Sequence, residues 1–288
     1  MRYSPLIFNY IYESLLPFLI LIFTSNYAQK ISLVGNSVKP FPYSEKIIDN
    51  STYNIYYEVK FKKDPRNSKK IEEAICLLRL GDNYSMFSDY NSVRSDSLSD
   101  IYSHKTQISA KEFNLYNNFI EKWNIYVLKD FKQAKNIIQD YAKETYQYED
   151  NKYKFDWKLE NESKEILGYT CHKATTEYKG RKYVAWYAKD IPINNGPYLF
   201  QDLPGLIMEI EDSKSNYYFK VIALDHKPGN IYLKTGKNIL QTSREKFRQL
   251  QKNVHENPSI YSEPIYDSNG NQINIKMKSK PYNPIELE

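Results

Sequence analysis

Four histidines, two cysteines and a scatter of carboxylates are the side chains with which this 288-residue chain could do chemistry. His104, His172, His226 and His255 are spaced neither as H-x-H nor as H-E-x-x-H, so the sequence supplies no zinc cradle, and His255-Glu256 lacks the second histidine. Asp267-Ser268-Asn269-Gly270 faintly resembles a calcium loop, but the further acidic ligands and the closing glutamate are missing, and a hairpin turn explains it better. The sequence has no glycine-rich phosphate cradle and no G-x-S-x-G nucleophile elbow. No metal and no cofactor are therefore expected.

Carboxylates are harder to set aside, because a glycosidase needs only two of them across a cleft. Asp190 and Asp202 bracket a proline- and glycine-rich run, and Glu209 and Glu211 share one face of a strand-like segment. Simple alternation against Leu206, Met208 and Ile210 accounts better for the two glutamates, as a solvent face. Cys76 and Cys171 allow a single disulfide or stand as two buried free thiols. A reactive Cys171 beside His172 fails on a strand, where neighbouring side chains point to opposite faces.

The elements that must position these groups are mostly strands. Tyr53, Ile55, Tyr57, Val59 and Phe61 alternate with polar residues, as do Tyr153, Phe155, Trp157 and Leu159, and again Ile273, Ile275 and Met277. Asn269-Gly270 before the last run is the strongest short hairpin signal. Segments 71–80, 169–178, 182–189, 206–212 and 217–225 are also strand-like, several apolar on both faces, which suits mid-sheet positions. Capping boxes open two helices, Ser109 to Glu112 and Thr242 to Glu245, since each pairs a hydroxyl with a glutamate three residues on. Segment 124–148 suits a helix through Phe131, Ala134, Ile138 and Tyr141, and a strand through Ile125-Tyr126-Val127-Leu128. Residues 85–99, rich in Ser, Asp, Asn and Tyr, read as a long connection. The 28 tyrosines supply strand propensity with a polar tip. The whole predicts a β-rich α+β fold: a twisted antiparallel sheet, or one curled into a half-barrel, with helices over 109–123 and 242–256 packed on it.

Between two strands lies the run Ile191-Pro192-Ile193-Asn194-Asn195-Gly196-Pro197-Tyr198-Leu199-Phe200-Gln201-Asp202-Leu203-Pro204-Gly205. Proline fixes φ and glycine frees it, so Gly196-Pro197 and Pro204-Gly205 read as two bends that aim Tyr198, Leu199 and Phe200 at one place. Loops longer than about 12–15 residues are usually functional or disordered, and the apolar content argues against disorder. Either the loop is a packed cover over the sheet, or Tyr198, Leu199, Phe200, Leu203, Pro204 and Gly205, with Trp186 beside them, form a ligand or partner loop.

The N-terminus places Arg2 before an apolar core, Leu15 to Phe23, then polar residues to Ala28, the layout of a secretory signal peptide. Nine apolar residues containing Pro17 fall short of the roughly 20 that span a bilayer. The expectation is a signal peptide over 1–28, a single domain over 29–288, and no transmembrane segment in the mature chain. The formal net charge of +5 is interspersed, so Lys60 to Lys63 and Lys69-Lys70 read as a solvated rim and not as a nucleic-acid surface.

Five separated pieces, in order, carry a resemblance: Gly168-Tyr169-Thr170-Cys171-His172-Lys173-Ala174-Thr175, Ala185-Trp186-Tyr187-Ala188, Ile191-Pro192, Gly196-Pro197 and Leu203-Pro204-Gly205-Leu206-Ile207. Tyr84 to Phe87 and the ending Tyr282-Asn283-Pro284-Ile285-Glu286 agree with it. The chain thus resembles the GLPGLI family of exported Bacteroidetes proteins, whose function is uncharacterised. Asp202 stands where that family has glycine, which is tolerable if its backbone is left-handed; Cys76 has no counterpart in the family pattern. The resemblance implies a protein of the periplasm or outer membrane surface, with no catalytic residues to carry over, and strands through 124–148. The reading that follows is a non-catalytic protein that binds an apolar ligand, such as a lipid, or an envelope partner. Its rivals are a hydrolase using the carboxylates and a scaffold that docks an outer-membrane barrel.

Overall fold

The computed structural model describes residues 37–288 except 68, 263–264, 267–271 and 274–275. The candidate signal peptide and the Asn269-Gly270 turn lie outside the described residues. The chain runs β1 (Ser44–Ser51), β2 (Tyr53–Phe61), β3 (Glu72–Leu80), β4 (Tyr84–Asp89), α1 (Tyr90–Ser103), α2 (Ala110–Tyr116), β5 (Tyr126–Asp130), β6 (Lys135–Ala142) and β7 (Glu144–Asn151). It continues through β8 (Lys158–Ile166), β9 (Tyr169–Tyr178), β10 (Arg181–Ala188), β11 (Leu206–Asp212), β12 (Tyr217–Asp225), β13 (Gly229–Thr235), β14 (Ile239–Gln241), α3 (Arg244–Glu256), β15 (Ile265–Tyr266) and β16 (Gln272–Ile273).

Twelve of these strands form one large twisted open sheet in the order β14-β7-β6-β5-β4-β3-β2-β12-β11-β10-β9-β8. Two meanders, β2 to β7 and β8 to β12, fuse where β12 pairs antiparallel with β2. Each neighbouring pair is antiparallel except β14 on β7. The sheet does not close into a barrel. Its β8 edge carries Lys158, Glu160, Glu162, Lys164 and Glu165, charges that discourage another strand from adding on.

One face carries the main core: Tyr57, Phe87, Val127, Ala185, Ile210 and Phe219 are buried there under the 189–205 loop, α3 and the C-terminal segment. Phe247 anchors α3, its ring 5.6 Å from those of Tyr146 and Tyr148. The opposite face holds a smaller core of Leu77, Met86, Leu128, Val93, Ile231 and Tyr232, covered by α1 and the β1–β13 ribbon.

Several expectations change. The connection expected over 85–99 contains the end of β4 and α1, which Asp89 caps by accepting from the Asn91 amide at 2.8 Å. The helix expected over 109–123 stops at Tyr116 and buries none of its residues. Its capping box forms as predicted, with Ser109 and Glu112 serving each other's backbone. Trp123 leaves the helix stripe and enters the main core from the following loop, held by the Lys122 and Trp123 amides donating to Asp89. Residues 153–157 are not a strand, although Phe155 is buried against Phe200. Segment 124–148 is three strands, and β15 pairs with β16 on either side of the undescribed turn.

Candidate functional site

The loop between β10 and β11 is a plug. Tyr198, Leu199, Phe200 and Leu203 are each at most 4% exposed. Phe200 meets Tyr183 at 4.7 Å and Phe219 at 6.3 Å between ring centroids, and Tyr198 meets Trp123 at 6.3 Å. The backbone makes this possible at two glycines. A Cβ on Gly205, at φ +150°, would stand 2.1 Å from the Ala188 carbonyl oxygen, and one on Gly196 would stand 2.8 Å from Ile207 side-chain atoms. Tyr198 and Asp202 are left-handed at φ 52° and 73°. Asp202 thus takes the conformation a glycine would hold, one that Asp accepts better than most residues.

A buried lysine ties the plug to the sheet. Lys129, 2% exposed on β5, donates to Asn195 Oδ1 at 2.8 Å, the Phe200 carbonyl at 3.1 Å and the Gly196 carbonyl at 3.3 Å. Burial brings its amine down to about 7. Asn195 in turn donates to Ser85 Oγ, and Trp157 donates to the Gln201 carbonyl. Beside this anchor opens a polar cleft of about 250 Å³, lined by Lys129, Asn136, Lys152, Asn194, Gln201 and Asp202 among others. Lys152 bridges Asp202 at 2.7 Å across it. With three acceptors around its ammonium, Lys129 works as a fastener and not as a free base.

The C-terminal segment straps the plug down. Glu286, 3% exposed, accepts from the Tyr178 hydroxyl at 2.7 Å and the Tyr198 hydroxyl at 2.6 Å, and bridges Arg244 at 2.7 Å and Arg248 at 3.1 Å. Burial by itself would raise the Glu286 carboxyl, but Arg248, the two tyrosines and Arg244 bring it below its ordinary value. Arg181, also buried, spans Asp212 at 3.1 Å and the carbonyls of Pro284 and Ile285.

The four carboxylates singled out in the sequence do not form one site. Asp190 is exposed at the start of the plug, and Asp202 is paired with Lys152. Glu209 lies on the outer face, bridged to Lys164 and accepting from the Tyr218 hydroxyl; Glu211 is partly buried on that same face. Trp186 sits between Lys173 and Glu209 in cross-strand register, with the Lys164 ammonium 4.5 Å from its ring centre. Pro204 is exposed, while Gly205 is buried.

Cys76 on β3 and Cys171 on β9 are both buried free thiols, with β2, β12, β11 and β10 between their strands. The disulfide alternative is thereby corrected, since a bridge needs Cα atoms within about 7 Å. Burial pushes Cys171 up to about 11 and Cys76 well above its ordinary value, which removes thiolate character from both. Among the described residues no group of three or more His, Cys, Asp or Glu is placed to hold a metal, and no helix is long and apolar enough to cross a membrane.

Sequence reasoning missed Lys129, Arg181 and Glu286. Lys129 had a signal: it shares strand parity with Val127 and so points to the main core. Glu286 lay in the ending that carried the family resemblance, without any pattern to mark it as buried.

A family model described as "Protein of unknown function (Porph_ging)" matches residues 175–209. The match runs from the end of β9 through β10 and the plug to the middle of β11, and it fits an uncharacterised family. No curated protein matches the chain. Among solved structures, PNGF-II in space group P21 is similar at a TM-score of 0.46 and 16% identity, over 77% of this chain and 37% of that one. PNGF-II in space group C2 gives 0.46 and 16%, over 72% and 34%. The chain therefore spans about a third of the length of these proteins.

Proposed function

We propose that this is an exported, non-catalytic binding protein of the bacterial envelope, of the GLPGLI type, that docks a protein partner and does not carry an apolar molecule. The observation that carries the reading is the plug: the side chains that would have lined an apolar ligand cavity fill the sheet face themselves. An apolar ligand of ordinary size needs about 300 Å³ or more of largely apolar space, and the cleft beside the plug is smaller and polar. The dispersal of Asp190, Asp202, Glu209 and Glu211 weighs against the hydrolase alternative, because hydrolysis needs two carboxylates on one cleft. Export follows from the N-terminal pattern alone, with cleavage near Ala28.

The test is to isolate the protein from its native envelope, sequence its N-terminus, extract it for lipid analysis and crosslink it before lysis. The expected outcome is an N-terminus near Gln29, no stoichiometric lipid, and one discrete crosslinked protein adduct. A bound lipid at one per chain, or retention of residues 1–28 in the cytoplasm, overturns the reading.

A further inference from the structure

A second cleft, of about 280 Å³, opens where β5, β6 and β7 approach the end of β13. Tyr126, Gln139, Tyr141, Thr145 and Lys234 line it, with Glu121 exposed at its mouth. Two of these side chains hold buried polar atoms that have no partner: the Tyr126 hydroxyl and Gln139 Oε1. Tyr126 is 5% exposed and Gln139 2%. The orientation of Gln139 is fixed, because its Nε2 donates to Gln147 Oε1 and to the Lys234 carbonyl, each at 2.8 Å. Turning the amide over would set an oxygen against two acceptors, so Oε1 is necessarily the atom left without a donor. Orphaned buried groups of this kind are rare and cost free energy that a fitting ligand returns.

The charges around the cleft decide what fits. The Lys234 ammonium is held by Asp96 Oδ2 at 3.0 Å and Ser92 Oγ at 2.8 Å, and the Tyr232 hydroxyl donates to the same Asp96 oxygen. A cationic ligand meets Lys234, and an anionic one meets the Glu121 carboxyl at the mouth. Asp140 also lines the cleft, but strand alternation turns its carboxyl to the α3 side, where it accepts from Gln251; the remaining lining is hydroxyl and amide, groups that donate and accept alike. Tyr141, 53% exposed, adds an aromatic ring at the rim.

We propose that this cleft binds a neutral, hydroxyl-rich ring of about the size of one sugar unit, with a ligand hydroxyl donating to Gln139 Oε1 and a ligand oxygen accepting from Tyr126. The site is separate from the plug, and the inference does not rest on the partner-docking reading.

The test titrates the full chain, by ligand-observed NMR, with methyl α-glucoside, methyl α-galactoside and N-acetylglucosamine, and with glucuronate and glucosamine as charged counterparts. At least one neutral sugar is expected to bind saturably and more tightly than the charged ones. Tyr126→Phe should weaken it about tenfold, the factor one good hydrogen bond carries. That substitution removes a hydroxyl with no partner in the protein, so the melting temperature should hold, which separates a lost ligand contact from a lost fold. Failure of every neutral sugar to saturate, tighter binding of a charged sugar, or undiminished binding by Tyr126→Phe overturns the proposal.

Discussion

Two buried ionisable residues give this protein opposite pH slopes. Burial raises the Asp140 carboxyl from 3.8 to about 7, despite hydrogen bonds from the Tyr141 amide and Gln251. Folded Asp140 keeps its proton where the unfolded chain has lost it, so its contribution is fullest below pH 4 and is lost as pH rises to about 7. Lys129 runs the other way: its amine falls from 10.5 to about 7, so the unfolded chain binds the extra proton, and stability rises from pH 7 toward 10.5. In urea unfolding, Asp140→Asn is expected to flatten a decline of about 1–3 kcal/mol between pH 4 and 7. An unchanged slope in the variant would assign that decline to other groups. Neither residue stood out in the sequence, because burial is decided by what packs above a strand and not by the strand itself. Asp202 was the contrary case: standing where the resembled family has glycine, it is tolerable if the backbone is left-handed, and its φ is 73°.

At the scale of elements, polar contacts do work that hydrophobic patterning does not reveal. Helix α1 buries Ser92, Val93, Asp96 and Tyr102, and it is pinned to β13 through Lys234 and Tyr232 meeting Asp96 and Ser92. A helix fastened by such contacts has almost no apolar stripe, which is why 85–99 reads as a connection in the sequence. The Ser109–Glu112 box marked its helix start correctly, whereas α3 is capped by Ser243 accepting from the Lys246 amide, one residue after the expected Thr242; of these two helices only α3 has a buried anchor that holds it to the sheet. The strap from Pro281 to Glu288 has no regular structure, yet Glu286 joins it to α3, β9 and the plug at once. Glu286→Gln leaves Arg244 and Arg248 without their buried countercharge and is expected to cost about 3–5 kcal/mol in chemical denaturation. A loss below about 1 kcal/mol would mean that the strap is held by its other contacts.

For the whole molecule, the decisive feature is that two meanders join edge to edge through β2 and β12. This pairing brings residues far apart in sequence into one sheet and sets Cys76 and Cys171 on strands with four others between them. Native protein should resist alkylation at both thiols. After unfolding without reductant, both should react fully, read as two mass additions by intact-protein mass spectrometry. A requirement for reductant would show a bridge and contradict this architecture. The fused sheet also explains why the plug is closed: its apolar residues meet aromatic rings from both meanders, Trp123 from the first and Phe219 and Tyr183 from the second.

Local pattern alone was enough for the β-rich class, for most strands of the sheet, for two helix starts and for the bends around Gly196 and Gly205, because alternation, capping and φ preferences act over a few residues. The resemblance carried by Gly168 to Ile207 implied an uncharacterised family, which the match over 175–209 fits, and no chemistry. Tertiary structure decided which side chains are shut away. It turned Tyr198 and Phe200 from candidate ligand contacts into core, made Lys129 and Glu286 the fasteners of the plug, separated the four carboxylates, and left Tyr126 and Gln139 facing a cleft without partners. Most of those outcomes depend on contacts between residues far apart in the chain, such as Lys129 with Asn195 and Glu286 with Tyr178, and no local spacing records such contacts.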